Sequence, residues 1–293
     1  TFTPGTSQAG VYTYTVAGTA PCANARATVT VSVVAAPNAG TNGSITVCSD
    51  QGPVNLFALL GGSPQAGGTW TRPNGQAHSG NYLPASEPGG VYTYTVNGTL
   101  PCANATATVQ VNRVIAPNAG VNGTITVCST NAPFQLISVL GGSPSGSGTW
   151  LAPGHTPTSG IFTPGTSAQG VYTYVVAGTA PCVNDSAFVT VNVNQAPNAG
   201  QNASQLVCSS NAPFSLFGLL GGTPDPGGTW TAPGGGASTG TYTPGQSTVG
   251  GYTYTVTGIT PCLNASAIVT ISENRQPVAG TDGSFTRCST DGP

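Results

Sequence analysis

Residues 90–96, Gly-Val-Tyr-Thr-Tyr-Thr-Val, alternate strictly: Tyr92, Tyr94 and Val96 fall on one face, Val91, Thr93 and Thr95 on the other. That period of two predicts a half-buried strand. The segment that follows at 105–111 places Ala107, Val109 and Val111 inward and Thr106, Thr108 and Gln110 toward water. Ser44 to Cys48, Ser-Ile-Thr-Val-Cys, reads as a short first strand. The apolar run Val54 to Leu60 fits either a buried strand or a single helical turn, because periodicity does not decide over so few residues. Segments around Trp70 and Tyr82 read as two more strands, separated by the polar turn Arg72 to Ser79. No stretch carries the period of a helix of ordinary length.

The pattern recurs. Close copies of Gly-Val-Tyr-Thr-Tyr-Thr-Val begin at Gly10, Gly90, Gly170 and Gly250, and Pro37, Pro117, Pro197 and Pro277 keep the same constant interval. One catalytic or ligand site is written once, whereas four near-copies indicate a building unit stacked in series. Six or seven short strands in each unit predict an immunoglobulin-like sandwich. The fold class expected is therefore all-β: tandem immunoglobulin-like β-sandwich domains of about 80 residues each, one disulfide per domain, arranged as an elongated rod. The domain frame is 1–36 as the carboxy-terminal half of a repeat, whole repeats at 37–116, 117–196 and 197–276, and 277–293 as the start of another. An alternative, a permuted subunit whose two ends complete each other in neighbouring copies, leaves the Trp segment and the apolar run of a repeat missing. A window on a longer array is the reading favoured.

Composition narrows the chemistry. Among 293 residues, 43 Gly and 25 Pro punctuate the repeats, and only 4% are charged, with net charge −2. The five cations are all Arg and lie far apart (Arg26, Arg72, Arg113, Arg275, Arg287). Without Lys there is no lysine nucleophile, no phosphate-loop lysine and no Lys–Asn isopeptide bond. Nothing resembles the clustered basic footprint that nucleic acid requires, and no apolar run is long enough to span a bilayer. The protein is expected not to be an enzyme, since its two histidines, His78 and His155, fall outside the repeated design and carboxylates are sparse. No cofactor is expected.

The eight cysteines form two series, Cys22, Cys102, Cys182, Cys262 and Cys48, Cys128, Cys208, Cys288. Spacings alternate between 26 and 54, with no Cys-x-x-Cys pair, so disulfides outside a reducing cytosol are the better reading than zinc. A Cys22–Cys48 bridge must fold an extended strand back on itself. The pairing expected from chain reach is Cys48–Cys102, Cys128–Cys182 and Cys208–Cys262, each closing about 55 residues and stabilising its domain by roughly 4 kcal/mol.

Trp70, Trp150 and Trp230 occur once per whole repeat. Exposed, they would stack on sugar rings with avidity; the reading preferred is a core tryptophan packed against the disulfide. The linkers around Asn38, Asn118 and Asn198 offer oxygen atoms to calcium but few carboxylates, and read as turns. No metal site is expected. Sequons such as Asn97-Gly98-Thr99 are expected by chance in so Thr-rich a chain.

The succession Thr46 to Trp70, Gly90 to Cys102 and Ala105 to Asn112 resembles the immunoglobulin-like repeats of very long secreted surface proteins of Bacteroidota, among them gliding-motility adhesins exported by the type IX secretion system. The resemblance covers essentially the whole chain. It implies localisation at the cell surface, outer-membrane attached, and a stalk that extends a distal tip for attachment or gliding motility. It implies neighbouring repeats of the same long chain as partners, with glycans or other cell-surface proteins as further ones and no direct membrane insertion. A multivalent glycan-binding array, or a subunit packing laterally into an extracellular filament or sheath, are the alternative functions. It also makes Ser186, in Asp185-Ser186-Ala187, a candidate for O-glycosylation.

Overall fold

Alternation dictates the two long strands of each repeat. In the hairpin formed by Gly90–Val96 and Ala105–Val114, Tyr92 lies opposite Val109 and Tyr94 opposite Ala107, and all four side chains are buried. Large rings facing small or β-branched neighbours interdigitate at close-packed density on one face of the sheet. The structure is a computed structural model that describes residues 1–289. It is all-β, with three short 3₁₀ turns as its helical content among the described residues. Two compact units divide the chain, one made of Thr1–Asn118 with Val176–Asp185, the other of Ala119–Val175 with Ser186–Pro293.

In the first unit the strands run Gly10–Val16, Ala25–Val31, Gly43–Cys48, Val54–Asn55, Thr69–Thr71, Ala77–His78, Asn81–Tyr82, Gly90–Val96 and Ala105–Val114. The first two form a hairpin of their own. The remainder build a five-stranded sheet, in the order Gly43–Cys48, Ala105–Val114, Gly90–Val96, Thr69–Thr71, Ala77–His78, and a two-stranded sheet of Val54–Asn55 with Asn81–Tyr82. Only the pair of Gly43–Cys48 with Ala105–Val114 is parallel. The run Val54 to Leu60, which the sequence left open, is both things in turn: a two-residue strand, then a 3₁₀ turn at Phe57–Leu59.

The two sheets meet through aromatic rings. Tyr82 stands edge-on to Tyr92 at 5.4 Å, and Phe57 edge-on to Tyr94 at the same distance. Each tyrosine also uses its hydroxyl, as a buried phenol must. Tyr92 donates to the Pro88 carbonyl four residues upstream, the tyrosine corner of immunoglobulin-like domains. Tyr94 donates to the Gln65 carbonyl and accepts from the Gly68 amide, pinning the loop before Thr69–Thr71. Burial, aided by the nearby Glu87 charge, pushes the Tyr92 phenol up to about 12, so it stays a donor at any physiological pH.

The second unit repeats this layout. Its five-stranded sheets run in the orders Gly123–Cys128, Asp185–Asn194, Gly170–Val176, Thr149–Leu151, Pro157–Thr158 and Ala203–Cys208, Ala265–Asn274, Gly250–Val256, Thr229–Thr231, Ala237–Ser238. In both, the first strand is parallel to the last. Phe134–Gln135 with Ile161–Phe162, and Phe214–Ser215 with Thr241–Tyr242, make the small facing sheets. Tandem immunoglobulin-like sandwiches are thus the fold class. Residues 277–289 carry no strand; the rest of the segment assigned to a further repeat, 290–293, lies outside the described residues.

A disulfide junction as the candidate functional site

The parallel first strand decides where the cysteines lie. Cys48 is in register with Val114, the last residue of the long strand Ala105–Val114. Cys102 precedes the beginning of that same strand, so the two thiols belong to opposite ends of the repeat, on the order of 30 Å apart. A disulfide tolerates only about 7 Å between Cα atoms. The expected in-repeat pairs Cys48–Cys102, Cys128–Cys182 and Cys208–Cys262 are therefore corrected. The bridges are Cys48–Cys182 and Cys128–Cys262, with Cα separations of 5.0 and 4.9 Å and a sequence separation of 134 in each case. One disulfide per domain is corrected with them: each bridge joins a residue of one repeat to a residue of the next.

Each partner is held ready by its own strand or turn. The Ser49 amide donates to the Val114 carbonyl, and the Ala116 amide to the Ser49 hydroxyl, which locks the end of the first strand to the end of the last. Cys48, completely buried, sits at that corner. Its partner is presented by the turn within Val176–Asp185. There the Cys182 amide donates to the Thr179 carbonyl and the Gly178 amide to the Asn184 side-chain oxygen. A Cβ on Gly178 would stand 2.4 Å from the Val183 carbonyl oxygen, so only glycine lets the turn close. Cys182 Sγ then lies 3.7 Å from the Val114 carbonyl oxygen.

The second bridge reproduces every part. Ser129 donates to Asn194 and its hydroxyl accepts from Ala196. Gly258 donates to Asn264, and Cys262 Sγ lies 3.3 Å from the Asn194 carbonyl oxygen. A cavity of about 410 Å³ beside this bridge is lined by Thr130, Asn131, Pro197, Pro261 and Leu263, with no charged group. The turn asparagines Asn24, Asn104, Asn184 and Asn264 recur at the interval of the repeat; that period was the signal available for a role the sequence reading did not assign.

Cys102 occupies the same posture as Cys182, with Sγ 3.6 Å from the Val34 carbonyl oxygen, but neither Cys102 nor Cys208 forms a disulfide. Cys208 stands 3.3 Å from the Ser210 hydroxyl. That hydrogen bond holds its thiol below the usual cysteine value. At the first bridge the Asp50 carboxylate comes within 4.8 Å of the Cys48 and Cys182 sulfurs. Both sulfurs are committed to the disulfide, and Thr130 stands at the matching position of the second bridge, so the cluster is not a metal centre of the repeat design.

The tryptophans are core residues: Trp70, Trp150 and Trp230 keep 6%, 7% and 8% of their surface. They do not pack on a disulfide as expected, because the bridges lie at the ends of the repeats. Trp70 instead stacks on Tyr94 at 5.0 Å, and Trp150 and Trp230 on Tyr174 and Tyr254. Gly80, with φ +86°, clears the other side: a Cβ there would meet Trp70 Cδ1 at 2.9 Å. The linker asparagines serve their own repeats. Asn38 donates to the Gly62 and Ser63 carbonyls and accepts from Gly40. Ser186 is exposed at the start of its strand, beside half-buried Asp185 and buried Ala187.

His78 belongs to a buried cluster confined to the repeat 37–116. Glu87 is 3.2 Å from His78 Nε2 and 2.8 Å from the Arg72 guanidinium, and it accepts from the Leu83 amide. His78 Nδ1 accepts from the Gly80 amide, which leaves the proton on Nε2 facing Glu87. Burial alone would raise the Glu87 carboxyl, but the Leu83 amide, His78 and Arg72 outweigh it and hold the group below the usual range. In the other two repeats Ser167 and Ser247 accept the equivalent amide, from Thr163 and Thr243.

No protein-family model matches the chain, and no curated protein matches it. Among solved structures it is similar to the titin I-band fragment I67–I69, at 14% identity over 71% of this chain and 88% of that one, with a TM-score of 0.37. It is also similar to the amino-terminal eight immunoglobulin domains of Down syndrome cell adhesion molecule, at 14% identity over 90% of this chain and 40% of that one, TM-score 0.44. Sidekick-1 immunoglobulin domains 1–5 match at 15% identity over 91% and 67%, TM-score 0.31. Likenesses at this level carry no argument about what the chain does. Among the described residues no helix is long and apolar enough to cross a membrane.

Proposed function

We propose that the chain is a structural repeat region, a stalk built of consecutive sandwiches at 37–116, 117–196 and 197–276 within a long extracellular adhesin. It would hold a distal tip away from the cell for surface attachment or gliding. The observation that supports this reading is the pair of bridges, each tying one repeat to the next. Disulfides persist outside a reducing cytosol, and the repeats present almost no charge, as suits a passive spacer. Outer-membrane attachment, type IX export and a Bacteroidota source are the finer expectations of this proposal, and they come from the sequence resemblance. The glycan-array alternative is disfavoured by the burial of all three tryptophans.

Antibodies raised against this chain test the reading on intact cells of its source. Labelling of unpermeabilised cells at a constant distance from the envelope, with loss of attachment when the antibody is present, is the expected result. Signal only after lysis would refute it.

A further inference from the structure

The two bridges overlap along the chain. One spans Cys48 to Cys182, the other Cys128 to Cys262, so every peptide bond between residues 48 and 262 lies inside at least one disulfide loop. The linkers around Ala116–Pro117 and Ala196–Pro197 are each crossed by one bridge that starts in the repeat before and ends in the repeat after. Had the pairing been internal to each repeat, those linkers would be the sole covalent connection between neighbours.

We infer that the staggered disulfides give the chain a further function as a cut-tolerant tether, able to carry tension after its interrepeat linkers have been hydrolysed. Exposed linker backbone is where proteases act first, and Ile115, Gln195 and Asn198 are exposed here. A cut in the first linker leaves the repeats joined through Cys48–Cys182. A cut in the second leaves them joined through Cys128–Cys262. Cuts in both still leave one covalent piece, because the middle repeat contributes Cys182 to one bridge and Cys128 to the other. The route from Cys48 to Cys262 through the bridges runs back along only the Cys182-to-Cys128 segment. Fully extended it is roughly 180 Å long, against roughly 730 Å along the backbone, so lengthening is also capped when repeats lose their fold. The inference stands on the bridge pattern alone, whether or not the protein is a surface stalk.

The unmodified chain supplies a first test. Trypsin in denaturant without reductant cuts after Arg113, in the last strand of the repeat that holds Cys48 and ahead of the repeat that holds Cys182. Residues 27–113 and 114–275 should migrate as one species and separate only on reduction; separation without reductant overturns the inference. A second test inserts a sequence-specific protease site after Ile115 and another after Gln195. The doubly cut protein, held by its ends in a force spectrometer, should keep bearing load until reductant is added. Detachment at the moment of the second cut overturns the tether function even where the bridges have been mapped.

Discussion

Cys48 and Val114 are partners in a parallel strand pair, and that pairing sends Cys48 to the end of the repeat remote from Cys102. The bond it makes with Cys182 spans a sequence separation of 134, which on chain-entropy grounds limits the unfolded chain by about 5 kcal/mol. Cys48→Ser and Cys182→Ser should therefore destabilise equally in denaturant titrations, and the double substitution should cost no more than either. A Cys102→Ser chain should match the wild type. Unequal losses for Cys48→Ser and Cys182→Ser would mean that the two do not share a bond.

The Ser210 hydroxyl at 3.3 Å makes Cys208 a better thiolate than an ordinary cysteine. Its alkylation rate should rise with pH through a midpoint below the usual cysteine value, and Ser210→Ala should move that midpoint upward. A stopped alkylation series read by peptide mass spectrometry distinguishes Cys208 from exposed Cys22 in the same sample. An unchanged midpoint in Ser210→Ala would remove the hydrogen bond as the cause.

Asn184 closes the turn that presents Cys182. Removing one such hydrogen bond costs about 1 kcal/mol, and here it also frees the thiol from its presented position. Asn184→Ala should slow formation of the Cys48–Cys182 bridge during oxidative refolding, while Asn184→Asp, which keeps the acceptor, should refold nearly as the wild type does. Thiol trapping over time gives the rate. Equal rates for Ala and Asp would show that the side-chain oxygen has no part in presenting Cys182.

Much of this was legible in the residues. Alternation at Tyr92, Tyr94, Val109 and Val111 foretold two strands and their buried faces, though not that the two pair as a hairpin, and the once-per-repeat tryptophans suggested a core position, where they are buried. The disulfide pairing was not legible, because strand content says nothing about direction. Only the parallel partnership of Gly43–Cys48 with Ala105–Val114 puts the two cysteines of a repeat at opposite ends, and that partnership is a long-range contact without local signal. The Glu87 cluster was hidden for a different reason. Arg72, His78 and Glu87 each depart from the repeat consensus, and departures considered singly look like drift until the fold brings them within one carboxylate's reach.

That cluster should make one repeat more acid-sensitive than the others. The folded Glu87 carboxyl is held below its unfolded value, so its contribution is fully present above the unfolded pKa and is lost as pH falls through the folded one. Hydrogen exchange resolved by repeat should show 37–116 losing protection below about pH 4.5 ahead of 117–196 and 197–276, which use Ser167 and Ser247 at the same place. Arg72→Ala, His78→Thr and Glu87→Ser combined should bring its acid limb into line with theirs. If the three repeats lose protection together in the wild type, the ion cluster contributes nothing to the pH response.

Trp150 stacks on Tyr174 at 4.9 Å and closes the core of its repeat, so truncation leaves a cavity that the facing sheet fills only in part. Trp150→Ala should cost about 3–5 kcal/mol, with Trp150→Phe, which retains a ring against Tyr174, losing less. The bridges give this prediction a particular signature. Cys128 and Cys182 both belong to the damaged repeat, and both are bonded to residues outside it, so the unfolded segment remains tethered at each end. Under non-reducing conditions the chain should lose the fluorescence of one buried tryptophan and the exchange protection of 117–196 while 37–116 keeps its own. Adding reductant should then extend the loss toward the neighbours whose bonds it breaks. A Trp150→Ala chain that keeps full protection across 117–196 would instead place that indole outside the core and reopen the sugar-stacking alternative.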